Sequence, residues 1–275
     1  LDDTLTYSAG FFETPETPLR EASVEKLDRI CRKLQLSPAD HVLEIGTGWG
    51  SFALHAAGRY GCRVTTATIS AEQHALATER VHAAGLADRV AVVLRDYRDL
   101  GGSYDKVVSI EMIEAVGHAF LNTYFRVCAE RLRPGGALLL QAICSLDQDY
   151  DLYRRESDFI KRYIFPGGCL TSTEAMLRAA KHHTDLQLFD AEDITPHYAL
   201  TLRHWRENFL RNRAKVEALG FDARFVRMWE FYLCYCEGGF AERSIHTGQF
   251  MFVKPGFRSA VGGPCPRSSF STQEV

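Results

Sequence analysis

Along most of the chain, short continuous apolar runs alternate with longer stretches in which apolar residues recur three and four positions apart. Short apolar runs bounded by turn residues are typical of buried strands, and the longer spacing is typical of helices that bury one face. The pattern predicts strands at 41–45, 62–68, 89–94, 105–110, 137–143 and 246–253, with helices at 21–35, 50–59, 71–84 and 118–132. This alternation indicates an α/β fold with a doubly wound, mostly parallel sheet.

The regular alternation ends after residue 145. Residues 146–185 are charged and aromatic, and residues 199–240 combine a basic amphipathic stretch with an aromatic one at helical spacing. We expect these two stretches to form a helical cap, inserted late within a single domain at 1–256. The tail at 257–275 is rich in Ser, Gly and Pro, which predicts disorder.

Composition narrows the possible partners and location. The net charge of −3 gives no indication of a nucleic-acid partner. No apolar run reaches the roughly 18 residues of a membrane span, and no signal peptide opens the chain. The eight cysteines include no Cys-x-x-Cys pair, so we expect no metal site and a cytoplasmic protein with reduced thiols. The stretch 202–215 mixes Trp and Phe with five Arg or Lys, which fits either an anionic membrane surface or a solvated helix face.

A glycine loop follows the first predicted strand. Gly46, Gly48 and Gly50 have the spacing G-x-G-x-G, whereas a dinucleotide fingerprint would need glycine at position 51, which is Ser51. Glycines at a strand-to-helix turn let the backbone approach a ligand closely. A tight turn without a ligand is the alternative.

Polar residues after the next strands are candidates for binding a nucleoside. Thr68 and Gln73 follow the second strand, although Ser70 and Gln73 also fit a capping box. Tyr97 and Arg98 follow the third strand and could contact an adenine or belong to an exposed charge cluster.

Glu114 follows the fourth strand among apolar neighbours. The carboxyl ends of parallel strands face the ligand crevice, so a partly desolvated carboxylate there suits an electrostatic or base role. An acid favoured by the helix dipole is the alternative.

Eight motifs occur in one order over residues 4–254, namely Tyr7-Ser-Ala-Gly, Leu43-Glu-Ile-Gly-Thr-Gly-Trp-Gly, Thr68-Ile-Ser-Ala-Glu-Gln, Asp96-Tyr-Arg-Asp, Glu114, Tyr163-Ile-Phe-Pro-Gly-Gly, His197-Tyr and Met228-Trp-Glu-Phe-Tyr-Leu. Together they resemble the cyclopropane-fatty-acyl-phospholipid synthase family, which includes mycolic acid cyclopropane synthases and enzymes that make methyl-branched or methylene lipids. The resemblance implies a seven-stranded Rossmann-like methyltransferase sheet. It also implies S-adenosylmethionine as cofactor and S-adenosylhomocysteine as product.

Matching positions to the family's motifs assigns site residues. The cofactor-binding positions are Tyr7, Ser8, Gly46, Gly48, Thr68, Ile69, Gln73, Tyr97, Arg98 and Ile110. Glu114, Ile143 and Tyr198 match residues around a bicarbonate that serves as base, and Gln141 stands two positions before Ile143. The family usually has Cys at the position of Ala9, His at that of Gln141 and His at that of Ala115, so this chain lacks three usual side chains of the bicarbonate site.

The reaction implied is methyl transfer to the double bond of an unsaturated acyl phospholipid at a membrane surface, by a peripherally associated enzyme. A homodimer is one assembly that this enzyme could form. Methyl transfer to a double bond produces a carbocation, which aromatic faces stabilise and water would destroy. Glu114 is the expected base, or the residue that orients a bound base, and the product is a cyclopropane or a methylene lipid. Methylation of small soluble amines and a non-catalytic cofactor-binding subunit are the alternatives.

Overall fold

A computed structural model describes residues 1–259 and shows a seven-stranded sheet of order β3-β2-β1-β4-β5-β7-β6. The strands are β1 (His41–Ile45), β2 (Arg63–Thr68), β3 (Val90–Leu94), β4 (Tyr104–Ile110), β5 (Leu132–Ser145), β6 (Gln187–Asp193) and β7 (Ile245–Val253). Strands β1 to β5 run parallel, and β7 runs antiparallel to both β5 and β6. The expected doubly wound, mostly parallel sheet is confirmed.

Nine α-helices accompany the sheet within the described part of the chain. They are α1 (Leu19–Lys33), α2 (Ser51–Tyr60), α3 (Ala71–Ala83), α4 (Leu121–Arg131), α5 (Tyr150–Tyr153), α6 (Thr173–His183), α7 (Thr195–Arg211), α8 (Arg213–Ala218) and α9 (Ala223–Ala241). A π-helical turn spans Ile160–Ile164. None of the helices within residues 1–259 is both long and apolar enough to cross a bilayer.

The core lies on both faces of the sheet, because side chains of a strand point alternately to each side. On β5, Leu138 and Leu140 pack with α4 and α6, whereas Leu139 packs with α1 and α2. This two-sided burial explains why the central strands read as continuous apolar runs.

The seventh strand, β6, lies where the hydrophobic pattern assigned no element. Within residues 1–259 it is an edge strand that pairs with β7 alone, and most of its residues are exposed. An edge strand with a solvated face needs no continuous apolar run. Its sequence, Gln-Leu-Phe-Asp-Ala-Glu-Asp, therefore carries little strand signal.

The two stretches expected to form the cap differ in their packing. Helix α6, within 146–185, joins the core cluster on one face of the sheet. Helices α7 and α9 instead form a third cluster together with Ala9 and Phe12 of the N-terminal segment. Of the expected disordered tail, residues 260–275 lie outside the described residues.

Candidate active site

The residues assigned to the cofactor lie at the carboxyl ends of the central strands. Gly46 directly follows β1, Thr68 ends β2, Tyr97 lies just beyond β3 and Ile110 ends β4. This edge of a doubly wound sheet is where ligands bind. The structure thus brings the predicted cofactor residues to one edge.

The glycine loop has the backbone that its sequence predicts. Gly46, Gly48 and Gly50 have φ of 99°, 50° and 87°, in the region that side chains disfavour. A Cβ on Gly46 would lie 2.9 Å from the Met112 side chain, and one on Gly50 would press on Ala77, whereas a Cβ on Gly48 would meet nothing within 4 Å. Gly46 and Gly50 therefore serve close packing, while Gly48 borders open space that a ligand can fill.

Polar contacts at the end of β2 hold Gln73 in place. The Ser70 hydroxyl accepts the Gln73 N–H at 3.2 Å and so caps α3. The Gln73 side chain accepts from the Thr68 hydroxyl at 2.7 Å, and that hydroxyl accepts the Ser70 N–H at 3.1 Å. Thr68, not Gln73, therefore completes the cap. The neighbouring Ile69 side chain is 78% exposed at the strand tip.

The loop after β3 pairs its own charges. The Arg98 guanidinium donates to the Asp96 carboxylate at 2.7 and 2.9 Å, and this hydrogen bonding lowers the pKa of Asp96. Tyr97 is partly buried and packs edge-on against Tyr124, with ring centroids 5.4 Å apart. Arg98 is thus held beside Asp96, and Tyr97 beside the core.

The N-terminal segment crosses this edge and is fixed at several points. The Thr4 carbonyl accepts from the Ser51 hydroxyl at 2.7 Å and from Arg80 at 3.0 Å. The Ser8 hydroxyl accepts from the buried Lys26 ammonium at 2.8 Å. The expected cofactor residue Ser8 is therefore already paired within the protein.

The first residue of the Tyr-Ser pair, Tyr7, contacts the cap. The hydroxyl groups of Tyr7 and Tyr232 lie 2.9 Å apart. Burial raises the pKa of Tyr7 to about 12, so it remains a neutral phenol. This contact links the N-terminal segment to α9.

Glu111 is the centre of the polar cluster. It follows Ile110 at the end of β4 and has φ of 49°. Its Oε1 accepts from the Ala9 N–H at 2.9 Å and from the Gln141 amide at 2.8 Å, and its Oε2 accepts from the Tyr198 hydroxyl at 2.6 Å. An L-residue with positive φ that nevertheless makes three hydrogen bonds is held by its surroundings, as is common at functional sites.

Glu114 lies one short 3₁₀ turn further along. Its Oε1 accepts the Ile143 N–H at 2.6 Å, while its Oε2 is enclosed and has no hydrogen-bond partner among the described residues. Burial, followed by the charge of Glu111, raises the pKa of Glu114 to about 8. Glu114 is therefore protonated near neutral pH.

Of the two neighbouring carboxyl groups, Glu111 and Glu114, one is ionised and the other is protonated. Burial raises the pKa of Glu111 as well, but the donors from Tyr198, Ala9 and Gln141 and the charge of Lys26 oppose this rise. Among the described residues, Glu114 has one donor from another element, the Ile143 N–H. Neighbouring carboxyls resist double ionisation, so Glu111 carries the charge and Glu114 keeps the proton.

Glu111 was missed by the sequence reasoning, although the argument applied to Glu114 holds equally for it. Glu111 is the first acid after β4, at the carboxyl end of a central strand. Of the other predicted catalytic residues, the structure brings Tyr198 and Gln141 to Glu111, and Ile143 to Glu114.

The basic stretch 202–215 presents less aromatic surface than its sequence indicates. Trp205 is 4% exposed, and its ring centroid lies 5.0 Å from that of Tyr7. Phe209 packs against the same cluster. The aromatic residues Trp205 and Phe209 of α7 thus pack against the protein core, although their sequence context also fitted a membrane surface.

No group of three or more His, Cys, Asp or Glu within residues 1–259 could hold a metal ion. The chemistry available at this edge is that of one ionised carboxylate, one neutral carboxyl and several phenols.

Comparison with known proteins identifies the family. A family model described as mycolic acid cyclopropane synthetase matches residues 1–250. The chain is 44% identical over 263 residues to the tuberculostearic acid methyltransferase UfaA1 of Mycobacterium tuberculosis, covering 93% of this chain and 61% of the relative. It is 38% identical over 263 residues to the cyclopropane-fatty-acyl-phospholipid synthase of Escherichia coli K12, covering 94% and 66%. The chain thus spans less than two thirds of the length of these relatives.

A solved structure supports the same family assignment. A crystal structure of the mycolic acid cyclopropane synthase CmaA1, complexed with S-adenosylhomocysteine and CTAB, superposes with a TM-score of 0.86 at 28% identity, covering 92% of each chain. The chain belongs to the mycolic acid cyclopropane synthetase family of S-adenosylmethionine-dependent methyltransferases.

Proposed function

We propose that this protein transfers a methyl group from S-adenosylmethionine to the double bond of an unsaturated acyl chain in a phospholipid. The named relatives act on fatty acids or lipids, which supports the substrate class. The observation that carries the proposal is the Glu111 carboxylate, held by three donors beside the neutral Glu114. This arrangement suits the removal of one proton in a site that excludes water.

The cofactor fits at the glycine loop. The open space beside Gly48 can take its amino-acid part, and Thr68, Ile69 and Gln73 lie at the adjacent strand end for its nucleoside part. When bound, the cofactor supplies an electrophilic methyl group, whose addition to a double bond leaves a positive charge on the acyl chain.

We propose that Glu111 replaces an external base. Its three donors come from Ala9, Gln141 and Tyr198, positions that in the family resemblance surround a bicarbonate. A second anion among these groups would meet the charge of Glu111 in a poorly solvated site, which is costly. Glu111 therefore accepts the proton itself, and bicarbonate is not required.

The neighbouring groups keep this base ready. The Tyr198 ring stacks on Phe240 at 4.3 Å between centroids, which fixes the hydroxyl that donates to Glu111. The faces of Tyr198 and Tyr232 can also stabilise a carbocation without attacking it. Loss of a proton from the new methyl group closes a cyclopropane. A 1,2-hydride shift that first moves the charge to the methyl-bearing carbon, followed by loss of a methyl proton, leaves a methylene group instead.

The test uses the purified chain, S-adenosylmethionine and vesicles of a monounsaturated phospholipid. We expect formation of S-adenosylhomocysteine and a gain of one CH2 group per modified acyl chain, measured by mass spectrometry. Catalytic hydrogenation distinguishes the products, because a methylene group is reduced readily and a ring is not. Product with soluble amines but none with any lipid would overturn the proposal.

A further inference from the structure

A group of exposed aromatic side chains forms a continuous surface patch. Tyr163 on the π-helical turn and Phe231 and Tyr235 on α9 are 51%, 53% and 49% exposed. All three surround Phe159, with ring centroids 5.8, 4.9 and 6.2 Å from it. We call these four residues the aromatic patch. Single exposed apolar residues are ordinary, but a contiguous exposed group marks an interaction surface.

Local structure holds the patch in place. Phe231 and Tyr235 lie one turn apart on α9 and therefore on one face of the helix. Tyr163 lies on a π-helical turn, a rare geometry that is frequent at functional sites. The rings are thus presented by two helical elements.

Arginines border the patch. Arg227 lies one turn before Phe231 on the same face of α9, and Arg224 lies one further turn away. The Arg162 guanidinium is 5.4 Å from the centre of the Tyr163 ring. Within residues 1–259, none of these three arginines has a carboxylate within 4.0 Å. Aromatic rings bordered by unpaired positive charge complement an anionic lipid surface.

Apolar contacts continue from the patch toward the active site. Phe159, Ile160 and Ile164 pack on the cluster that contains Tyr198 and Tyr232. Ile143, whose N–H donates to Glu114, packs on the same cluster. This continuity favours a lipid as the occupant, because an acyl chain leaving the surface would stay in contact with apolar side chains.

We propose that the aromatic patch is the surface by which this protein docks on anionic phospholipid membranes. The proposal rests on the lipid substrate proposed above. The patch, and not the basic stretch 202–215, carries the exposed aromatic residues, since Trp205 is buried. The rings insert at the level of the headgroups, and the arginines attract the anionic phosphates.

The experiment is cosedimentation of the 275-residue chain with vesicles of phosphatidylglycerol and phosphatidylcholine. The variant Phe231→Ser/Tyr235→Ser should lower vesicle affinity at least about tenfold, because two aromatic side chains no longer leave water. The variant Arg162→Gln/Arg227→Gln should lose the preference for phosphatidylglycerol over pure phosphatidylcholine. The matched control is Phe189→Ser, since Phe189 is also 53% exposed but lies on the edge strand β6 and should leave binding unchanged.

Turnover separates docking from folding and from chemistry. With lipid dispersed in detergent, the aromatic variant should match the wild type, whereas with vesicles it should be slower. Wild-type vesicle affinity in the aromatic variant overturns the proposal. Loss of self-association in that variant with vesicle binding intact also overturns it, because the patch would then join two copies of the chain. Vesicle binding that depends on the patch, in a protein that methylates no lipid in either format, supports docking while the proposed reaction fails.

Discussion

The cofactor edge and the Glu111 cluster are neighbours at the same end of the sheet but are assembled differently. At the cofactor edge, Thr68 bonds to Gln73 and Asp96 bonds to Arg98, so partners lie within five positions of one another. In the cluster, Glu111 bonds to Tyr198 and Ala9, which are 87 and 102 positions away. These contacts at the cofactor edge are therefore set by local chain geometry, whereas the hydrogen bonds of Glu111 require the finished fold.

The two regions also differ in electrostatics. The Asp96–Arg98 pair lies in a solvated loop, where an ion pair stabilises little. Glu111, Glu114 and Lys26 are enclosed together, and burial lowers the pKa of Lys26 to about 8. Charge in the cluster is therefore costly and sensitive to each neighbour, which is what a proton-transfer site needs.

Removing the Glu111 carboxylate should have the largest effect. We expect Glu111→Ala to lower kcat by about a thousandfold, since a positioned base typically contributes a factor of this order. Added bicarbonate or formate should restore part of the activity by filling the vacated space. The measurement is S-adenosylhomocysteine formation with and without the anion.

The matched variant is Glu111→Gln, which fills the same space and should not respond to the anion. Cofactor affinity should stay within about threefold of the wild type in both variants, because Glu111 belongs to the cluster and not to the cofactor edge. A wild-type protein that needs bicarbonate, or a Glu111→Ala variant with full activity, would show that the base lies elsewhere.

The proton held by Glu114 predicts a stability effect of intermediate size. Its pKa of about 8 in the folded protein exceeds the ordinary 4.5, so the folded state keeps a proton that the unfolded chain loses as pH rises. Glu114 therefore lowers the free energy of unfolding progressively between about pH 4.5 and pH 8. Glu114→Gln is neutral at every pH, so its stability relative to the wild type should increase by about 3.5 kcal/mol between pH 5 and pH 8.

Urea unfolding at the two pH values measures this difference. Glu44 is also buried with a pKa of about 8 and contributes the same trend to both proteins, so only the difference between them reports on Glu114. Glu130→Gln, on the exposed face of α4, is the control and should retain the wild-type slope. An unchanged slope in Glu114→Gln would mean that Glu114 is ionised in the folded protein.

The smallest effect is expected at the cofactor edge. Gly48→Ala places a methyl group in the open space beside the loop and should raise the Kd for S-adenosylmethionine about tenfold, or about 1.4 kcal/mol. Isothermal titration calorimetry measures the Kd. The control is Gly85→Ala, because Gly85 has φ of 67° and equally open surroundings but follows α3, away from the sheet edge.

Both glycine variants should lose about 1 to 2 kcal/mol of stability, the usual cost of a left-handed side chain. A similar rise in Kd in both would assign the effect to backbone strain, and an unchanged Kd in Gly48→Ala would remove Gly48 from the cofactor site.

The parts of the fold that could be predicted are those buried on both sides. Strand β1 could be predicted because both of its faces are covered, which selects a continuous apolar run. The glycine loop could be predicted because a backbone with positive φ selects glycine. Strand β6 could not be read, since an edge strand with an exposed face needs no apolar run. The burial of Trp205 could not be predicted either, because the sequence of a basic amphipathic helix does not indicate which protein surface covers its aromatic residues.

The sequence by itself determined the doubly wound sheet, the cofactor class and the family, because buried strands, glycine turns and ordered motifs are properties of short stretches of chain. Only the tertiary structure decided that Glu111 is the ionised carboxylate and Glu114 the protonated one. That decision depends on burial and on donors from the N-terminal segment, β5 and α7, which the fold alone brings within hydrogen-bond distance. A pKa is set by such surroundings, and a linear sequence does not contain them.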